Sequence, residues 1–205
     1  MIEKELSPFN IEKVSNFNKF PGYSYHINAH EFGNSLRDNV PLERYTEIKG
    51  TVKHVEYDSN GVKSLTLDDG SKISADLYVD CSGFKRVLID KLTTFDKYEG
   101  LINNAAIWGT VEHQSYRPST IATAKDYGWI WETPTWDRIG TGFVYCDDFL
   151  SVSEAETHMK NHWKEKGLEW KPEKSVKFTG GSLNNIAVKN VISNGLGQSF
   201  IEPLE

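Results

Sequence analysis

Two runs of alternating apolar and polar residues, joined by an Asn-Gly pair, constrain the fold of this chain more than any other feature of its sequence. Strands are predicted at Thr51–Tyr57 and Val62–Leu67, because alternation of period two places one face of each strand on a core. Asn60-Gly61 between them is the strongest short hairpin signal, since these residues tolerate the positive φ of a two-residue turn. A second turn at Asp68-Asp69-Gly70 continues the chain as an antiparallel meander.

Further elements are predicted on both sides of this meander. A helix begins at the capping residue Asn28 and ends near Asn39, and Ser153 with Glu156 forms the capping box of a helix that ends near Gly167. One more helix is predicted at Lys85–Leu92, with strands at Ala105–His113, Thr120–Lys125, Gly128–Glu132, Arg138–Cys146 and Ser175–Thr179. The predicted fold class is mixed α/β with an antiparallel sheet layer.

Composition and charge exclude several classes of function. A net charge of −6 and a pI near 5.6 argue against a nucleic-acid partner, since phosphate binding needs an excess of Lys and Arg. No apolar run approaches the roughly 20 residues that cross a bilayer, and the first residues lack a signal-peptide pattern, so no membrane partner is expected and cytoplasm is the predicted compartment. We assign no metal site, because His158 and His162 are not accompanied by the acid of an H-E-x-x-H motif.

Two glycine-containing turns follow apolar strands. Ser82-Gly83 ends the stretch VDCSGF, and Gly195-Leu196-Gly197 interrupts a later apolar segment. Glycine allows a backbone to approach a flat ligand closely, although plain tight turns have the same signature. Asp80, beside the first turn, has two interpretations: contact with the ribose of a ligand, or a hydrogen bond to a backbone amide.

Two tryptophans lie one residue apart in the stretch GWIWETP, in a chain with six tryptophans. Alternation puts Trp129 and Trp131 on one face of a strand, where packing in a core is one interpretation. The stretches ADLYVDCSGFKRVLI, GWIWETP, RIGTGFVYCDDFLSVSEA and VKNVISNGLGQSFIEPLE resemble, in order and spacing, the flavin-dependent halogenases of the tryptophan halogenase type. The resemblance covers about Tyr23–Glu205.

The resemblance assigns roles to particular residues. Trp129, Trp131 and Pro134 match the family motif W-x-W-x-I-P, with Thr133 in place of isoleucine, and the implied role is to separate the flavin from the organic substrate. Glu205 ends a match to F-[VI]-E-P-L-E-S-T-G and falls on the catalytic glutamate. The residues that fall where the family contacts FAD are Val52, Gly195, Leu196 and Gly197.

The implied scaffold is that of the FAD-dependent monooxygenases, and the implied reaction is halogenation of an electron-rich aromatic such as tryptophan or another indole. Reduced FAD, O₂ and a halide ion are consumed, a separate flavin reductase supplies the FADH₂, and a homodimer is one option for the assembly. No G-x-G-x-x-G loop occurs, and no lysine matches the catalytic one. The chain is therefore expected to have an irregular segment at 1–22 and an incomplete halogenase domain at 23–205, lacking the N-terminal FAD loop and the C-terminal region.

Two alternatives to halogenation stay open. An ordinary flavin-dependent monooxygenase keeps the same scaffold and does not need the tryptophan pair. A non-catalytic remnant that has lost FAD binding is consistent with the lack of a glycine loop in these residues. The mass of the product in the presence and absence of halide distinguishes the first alternative, and flavin absorbance of purified protein distinguishes the second.

Overall fold

A computed structural model describes residues 24–113 and 117–202. The irregular segment predicted at residues 1–22 lies outside the described residues, and so does the predicted catalytic residue Glu205. The described residues divide into two compact units, which we describe separately. Unit 1 comprises the described residues of 24–40 and 102–177, and unit 2 comprises residues 41–101 and 178–202.

The helices and strands are numbered in chain order. The two α-helices are α1 (Ala29–Asn39) and α2 (Val152–Glu165). The strands are β1 (Val52–Asp58), β2 (Gly61–Leu67), β3 (Lys72–Ile73), β4 (Tyr78–Asp80), β5 (Phe95–Lys97), β6 (Ala105–Val111), β7 (Ile121–Lys125), β8 (Gly128–Pro134), β9 (Ile139–Tyr145), β10 (Trp170–Lys177), β11 (Gly181–Leu183), β12 (Ala187–Val188), β13 (Val191–Ser193) and β14 (Ser199–Phe200). Among these described elements, no helix has both the length and the apolar character that a bilayer span requires.

Unit 1 is built on a five-stranded antiparallel sheet with the order β10-β6-β9-β8-β7, and α2 packs on one face of it. The α2 residues Ala155, Met159 and Trp163 belong to one buried cluster with alternate residues of the strands. Those strand residues are Ala105, Ile107, Val111, Ile130, Ile139, Phe143, Tyr145 and Trp170. Because side chains alternate along a strand, the residues between them point to the opposite face of the sheet.

The predicted strands of unit 1 are confirmed for β6 to β9, whereas the last one begins five residues earlier than predicted. β10 starts at Trp170 instead of Ser175 and pairs with β6 along its whole length, with a bulge between Pro172 and Lys174. The prediction failed because Pro172 and its charged neighbours do not look like a strand. A proline is tolerated here since β10 is an edge strand and one side of it needs no hydrogen bonds.

The start of α2 also differs from the prediction. The N-cap is Ser151 instead of Ser153: its hydroxyl accepts from the amide of Glu154, and the Glu154 carboxylate accepts from the amide of Ser151 at 2.9 Å. The S-x-x-E pattern occurs twice, two residues apart, so both serines are candidates. The first one extends the helix by two residues. The helix at 29–39 and its N-cap Asn28 are confirmed.

Unit 2 contains three three-stranded sheets, with the orders β1-β2-β3, β14-β11-β5 and β12-β13-β4. The predicted hairpin at Asn60-Gly61 joins β1 to β2, and Gly61 has a φ of 120°. β4 and β13 are parallel, with Asp80 beside Ser193. Since the carboxyl ends of parallel strands lie at the same edge, the turns that follow these two strands are neighbours.

The helix predicted at Lys85–Leu92 is wrong. The chain forms one 3-10 turn at Gly83–Lys85, after which Arg86 takes a left-handed conformation with a φ of 43°. The backbone amides that a helix would use internally are bound elsewhere: Leu88 and Ile89 donate to the Asp80 carboxylate. Side chains that capture amides in this way compete with helix formation.

Candidate functional site

Trp129 and Trp131 lie side by side on β8, on the face of the unit 1 sheet opposite to α2. Their ring centroids are 6.1 Å apart and the ring planes make an angle of 56°. Ile130 between them belongs to the core cluster under α2, and that cluster includes neither tryptophan among the described residues. The interpretation of the pair as part of this core is therefore not supported, although Trp131 is only 8% exposed.

The opposite strands leave room for the two indoles. The residues across from Trp129 and Trp131 on β7 are Ala124 and Ala122, and Gly142 of β9 lies across from Trp131. A Cβ atom at Gly142 would lie 2.0 Å from the Trp131 ring and 2.5 Å from the carbonyl oxygen of Ile107. Gly142 therefore makes the space that Trp131 occupies, and sequence analysis did not single it out.

A buried polar network lies behind the tryptophan strand, on its α2 side. Glu132 of β8 accepts a hydrogen bond from His162 Nε2 at 3.1 Å and a charged one from Lys166 Nζ, both on Oε1. Burial lowers the pKa of His162, as do the nearby charges of Lys166 and Lys125, and these effects outweigh the bond to Glu132, which raises it. Of the two histidines four residues apart on this helix, His158 and His162, His162 is therefore bound to a carboxylate.

The end of the motif is held in place by the segment before α1. Pro134 is buried, and its carbonyl oxygen accepts a hydrogen bond from His26 Nδ1 at 2.6 Å. Thr133, which stands in place of the family's isoleucine, has a buried hydroxyl with no hydrogen-bond partner among the described residues. The side chain of Thr133 follows those of the two tryptophans on the same face, so it adds a polar group beside them.

In unit 2, the predicted FAD-contacting turn is a 3-10 helix at Gly195–Gly197, directly after β13. Leu196 at its centre is 47% exposed, which is high for a leucine. A Cβ atom at Gly197 would lie 2.9 Å from the carbonyl oxygen of Gly83 and 3.2 Å from Ser193 Oγ. The two glycine-containing turns predicted from the sequence are therefore packed against each other.

Asp80 supports this pair of turns from inside the protein. One oxygen of its carboxylate accepts from the amide and hydroxyl of Ser82, at 3.0 and 2.6 Å, and the other accepts from the amides of Leu88 and Ile89. Burial raises the pKa of Asp80, but these four hydrogen bonds outweigh it and the net pKa is lowered. Of the two interpretations of Asp80, the structure shows the bond to backbone amides.

Replacing Asp80 by asparagine is expected to loosen the loop after β4. The side-chain NH₂ of asparagine would then face backbone N–H groups that now donate hydrogen bonds to the carboxylate. The lost bonds should cost about 1–2 kcal/mol in local stability. Amide hydrogen exchange over residues 83–92 should become faster. Because the folded-state pKa of Asp80 lies below its unfolded value, wild-type protection is complete above the unfolded pKa and is lost as the pH falls through the folded one.

The matched control for this prediction is Asp90→Asn in the same loop. Asp90 is mostly exposed and accepts only a long bond of 3.4 Å from Arg86 Nε in the described structure, so its replacement should change exchange by less than about 0.5 kcal/mol. Equal exchange rates in Asp80→Asn and the wild type would contradict the role of Asp80. The role of Asp80 would also be contradicted if the Asp80→Asn variant still lost protection from exchange as the pH falls.

The other predicted site residues are distributed over both units. Val52 lies at the start of β1, and the Gly195–Gly197 turn follows β13, which belongs to a different sheet of unit 2. The two tryptophans belong to unit 1. Glu132 lies within the stretch GWIWETP, but its partners lie on α2 and at the residue after it, and no local signal pairs them. A charged residue at a core-facing strand position was the one available sign of a buried network.

Comparison with known proteins places these observations in a family. A family model for tryptophan halogenases matches residues 2–205. Among the relatives, a tryptophan 7-halogenase of Lentzea aerocolonigenes is 33% identical over 91% of this chain, and a tryptophan 6-halogenase of Streptomyces albogriseolus is 31% identical over 89%. The chain spans 37% and 36% of the lengths of these two relatives.

Solved structures agree with the sequence comparison. A flavin-dependent halogenase from Brevundimonas sp. BAL3 superposes with a TM-score of 0.76 at 30% identity, covering 87% of this chain and 38% of that protein. One from Xanthomonas campestris superposes with a TM-score of 0.68 at 28% identity, covering 77% and 33%. The mixed α/β fold and the resemblance predicted from the motifs are confirmed. Since the family model covers nearly every residue, this chain belongs to the tryptophan halogenase family.

Proposed function

We propose that these residues form the tryptophan-bearing portion of a flavin-dependent halogenase, which uses reduced FAD, O₂ and a halide ion to halogenate tryptophan or another electron-rich aromatic. The observation that carries the proposal is the position of Trp129 and Trp131. They lie side by side on the sheet face opposite α2, with Trp129 half-buried and Trp131 buried, in a chain of the tryptophan halogenase family. The buried cluster beneath α2 includes neither ring among the described residues, so packing against that helix does not account for the pair.

The turn in unit 2 fits a flavin. A Cβ atom at Gly195, where φ is 70°, would meet open space, Leu196 offers an exposed apolar side chain, and the buried hydroxyl of Ser193 has no partner among the described residues. Such a combination suits a flat ring system with polar edges. We propose that Gly195–Gly197 and Val52 hold FAD, which when bound supplies the O₂ chemistry that oxidises the halide.

The tryptophan pair would act as a barrier between the flavin and the organic substrate. Its rigidity comes from β8, an inner strand with hydrogen-bonded neighbours on both sides. The indole of Trp131 fills the space above Gly142, so the side chain cannot be displaced toward the sheet. Two large apolar rings in fixed positions exclude water and the substrate from the flavin side.

The remaining partners follow from the same proposal. Reduced FAD would be supplied by a separate flavin reductase, and a small aromatic molecule would be the acceptor of the halogen. Glu205 would stand beside the acceptor carbon as an electrostatic or proton-accepting group, which is the role that its place at the end of the family motif implies.

The proposal can be tested with a chimera in which residues 2–205 replace the matched segment of the Lentzea aerocolonigenes relative. Supplied with a flavin reductase, NADH, chloride or bromide and tryptophan, the chimera should give a product whose mass increases by that of the halogen. A hydroxylated product independent of halide would support a monooxygenase instead. A folded chimera that neither binds flavin nor gives product would support the remnant interpretation.

In the same chimera, the double variant Trp129→Phe with Trp131→Phe is expected to keep flavin bound and to lose part of its halogenated product. Phenylalanine preserves the apolar strand face but shortens both rings, so the barrier opens while β8 stays folded. The ratio of halogenated product to FADH₂ oxidised measures the change.

Trp136→Phe is the matched control for the double variant. Trp136 lies on the β8–β9 hairpin and is 83% exposed, so its loss should leave both folding and the product ratio unchanged. If the double variant loses its circular dichroism signal, the two tryptophans are structural residues. If it folds and retains the wild-type product ratio, the barrier role is wrong.

A further inference from the structure

Glu132 is the residue of the tryptophan motif that points away from the tryptophans. It follows Trp131 directly on β8, so its side chain lies on the α2 side of the sheet. The side chain is 5% exposed and both of its described partners, His162 and Lys166, belong to α2 or the residue after it. One carboxylate oxygen therefore connects the tryptophan strand to the helix behind it.

A buried carboxylate at this position is costly, and stability alone does not account for it. Taking a charge out of water costs several kcal/mol, and well-packed apolar residues would often stabilise the same site as well or better. The neighbouring contacts between Ile130 and α2 are apolar and lack direction. By contrast, hydrogen bonds from His162 and Lys166 to one oxygen depend on the height and tilt of β8 relative to α2.

The network is also built to hold one arrangement. The ring of His162 packs edge-on against Trp163, with centroids 5.4 Å apart, and the ammonium of Lys166 lies 4.7 Å from the centre of the Trp163 ring. Both donors are thus oriented by the same indole, which is itself in the core. The position of Glu132 is determined by groups that are anchored on the helix.

We infer that Glu132 is a positioning residue for the tryptophan pair: its bonds to His162 and Lys166 fix β8 against α2 and thereby set the orientation of the Trp129 and Trp131 rings on the opposite face. This inference rests on the proposed function, because the orientation of the two rings matters if they form the barrier between the flavin and the substrate. It also predicts that a change on the α2 side of the sheet is transmitted to the far side through one strand.

The test uses the 205-residue chain labelled with 5-fluorotryptophan, in which each ¹⁹F line is assigned by replacing one tryptophan at a time with phenylalanine. In Glu132→Gln, the lines of Trp129 and Trp131 should shift and broaden in the fully folded protein. The lines of Trp136 and Trp170 should stay in place. A role in global stability alone would lower the unfolding midpoint and leave the lines of the folded protein unchanged.

Glu156→Gln is the matched control. Glu156 also lies on α2 and accepts a bond from a lysine four residues on, Lys160, but this pair is near the surface, so all tryptophan lines should be unchanged. If Glu132→Gln does not fold, Lys166→Met provides the second variant: Lys166 is 39% exposed and its loss should be tolerated. It should shift the Trp131 line in the same direction but less.

Unshifted lines for Trp129 and Trp131 in a folded Glu132→Gln protein, or in a folded Lys166→Met protein, would overturn the inference. These spectra need neither flavin nor halide, so their outcome does not depend on the proposed reaction. In the chimera, Glu132→Gln should lower the halogenated product per FADH₂ oxidised. A chimera that gives no halogenated product, together with shifted lines, would reject the proposed function and leave the positioning role intact.

Discussion

Gly142→Ala is expected to lower the free energy of unfolding of unit 1 by about 3 kcal/mol, because overpacking beside an inner strand cannot be relieved by a small rotation. The added methyl group would lie 2.0 Å from the Trp131 ring on one side and 2.5 Å from the Ile107 carbonyl oxygen on the other. Either the indole leaves its place over β9 or the strands separate. Urea unfolding followed by tryptophan fluorescence measures the change.

This fluorescence reports on unit 1 alone. All six tryptophans lie there: Trp108, Trp129, Trp131, Trp136, Trp163 and Trp170. The matched control is Gly140→Ala, two residues earlier on the same face of the same strand. Its methyl group would find its nearest neighbour, the Thr133 carbonyl oxygen, at 3.7 Å, so the cost should stay within about 1 kcal/mol. Equal unfolding midpoints for the two variants would show that Gly142 is not needed to seat Trp131.

The local strand pattern was predicted well where the deciding interactions are close in sequence. Asn60-Gly61 forms its hairpin because the turn conformation depends on those two residues, and β8 follows the alternation of GWIWETP. The same alternation placed both tryptophans on one face. It could not decide which face of the sheet is the core, since that depends on where α2, about twenty residues later in the chain, packs.

Two of the predictions that failed depend on contacts outside the predicted segment. The amides of Leu88 and Ile89 bind a carboxylate eight and nine residues earlier, and this prevents the helix that the local sequence favours. β10 accepts Pro172 because it is an edge strand, a property of the whole sheet. Propensity describes a segment by itself, whereas these outcomes were decided by tertiary structure.

The candidate site shows the same division. The tryptophan pair and the Gly195–Gly197 turn have recognisable motifs, and the resemblance found them. The residues that support them belong to no recognisable motif. Gly142 lies across from Trp131 on another strand, and His162 binds Glu132 from thirty residues away in the sequence. Supporting residues are chosen for fit to a neighbour in space, so a single sequence contains no pattern that reveals them.

The largest effect on turnover is expected from Glu205→Gln, in the chimera that carries residues 2–205. By resemblance to the family motif we propose Glu205 as the catalytic glutamate, and a positioned acid or base contributes roughly a hundred- to ten-thousandfold in rate. Product formation should fall by that order of magnitude. Flavin binding and flavin reoxidation should stay normal, because neither uses this carboxylate.

The alternative role for Glu205 is a structural one, since an acidic residue just after Pro203 can stabilise the start of a helix. Glutamine would then cost about 1 kcal/mol of stability and little activity. Glu173→Gln, on the exposed part of β10, controls for the loss of one negative charge and should leave turnover unchanged. Measuring halogenated product and flavin reoxidation on the same samples separates the two roles: a slow halogenation step with normal reoxidation identifies a catalytic glutamate, and near-normal product refutes it.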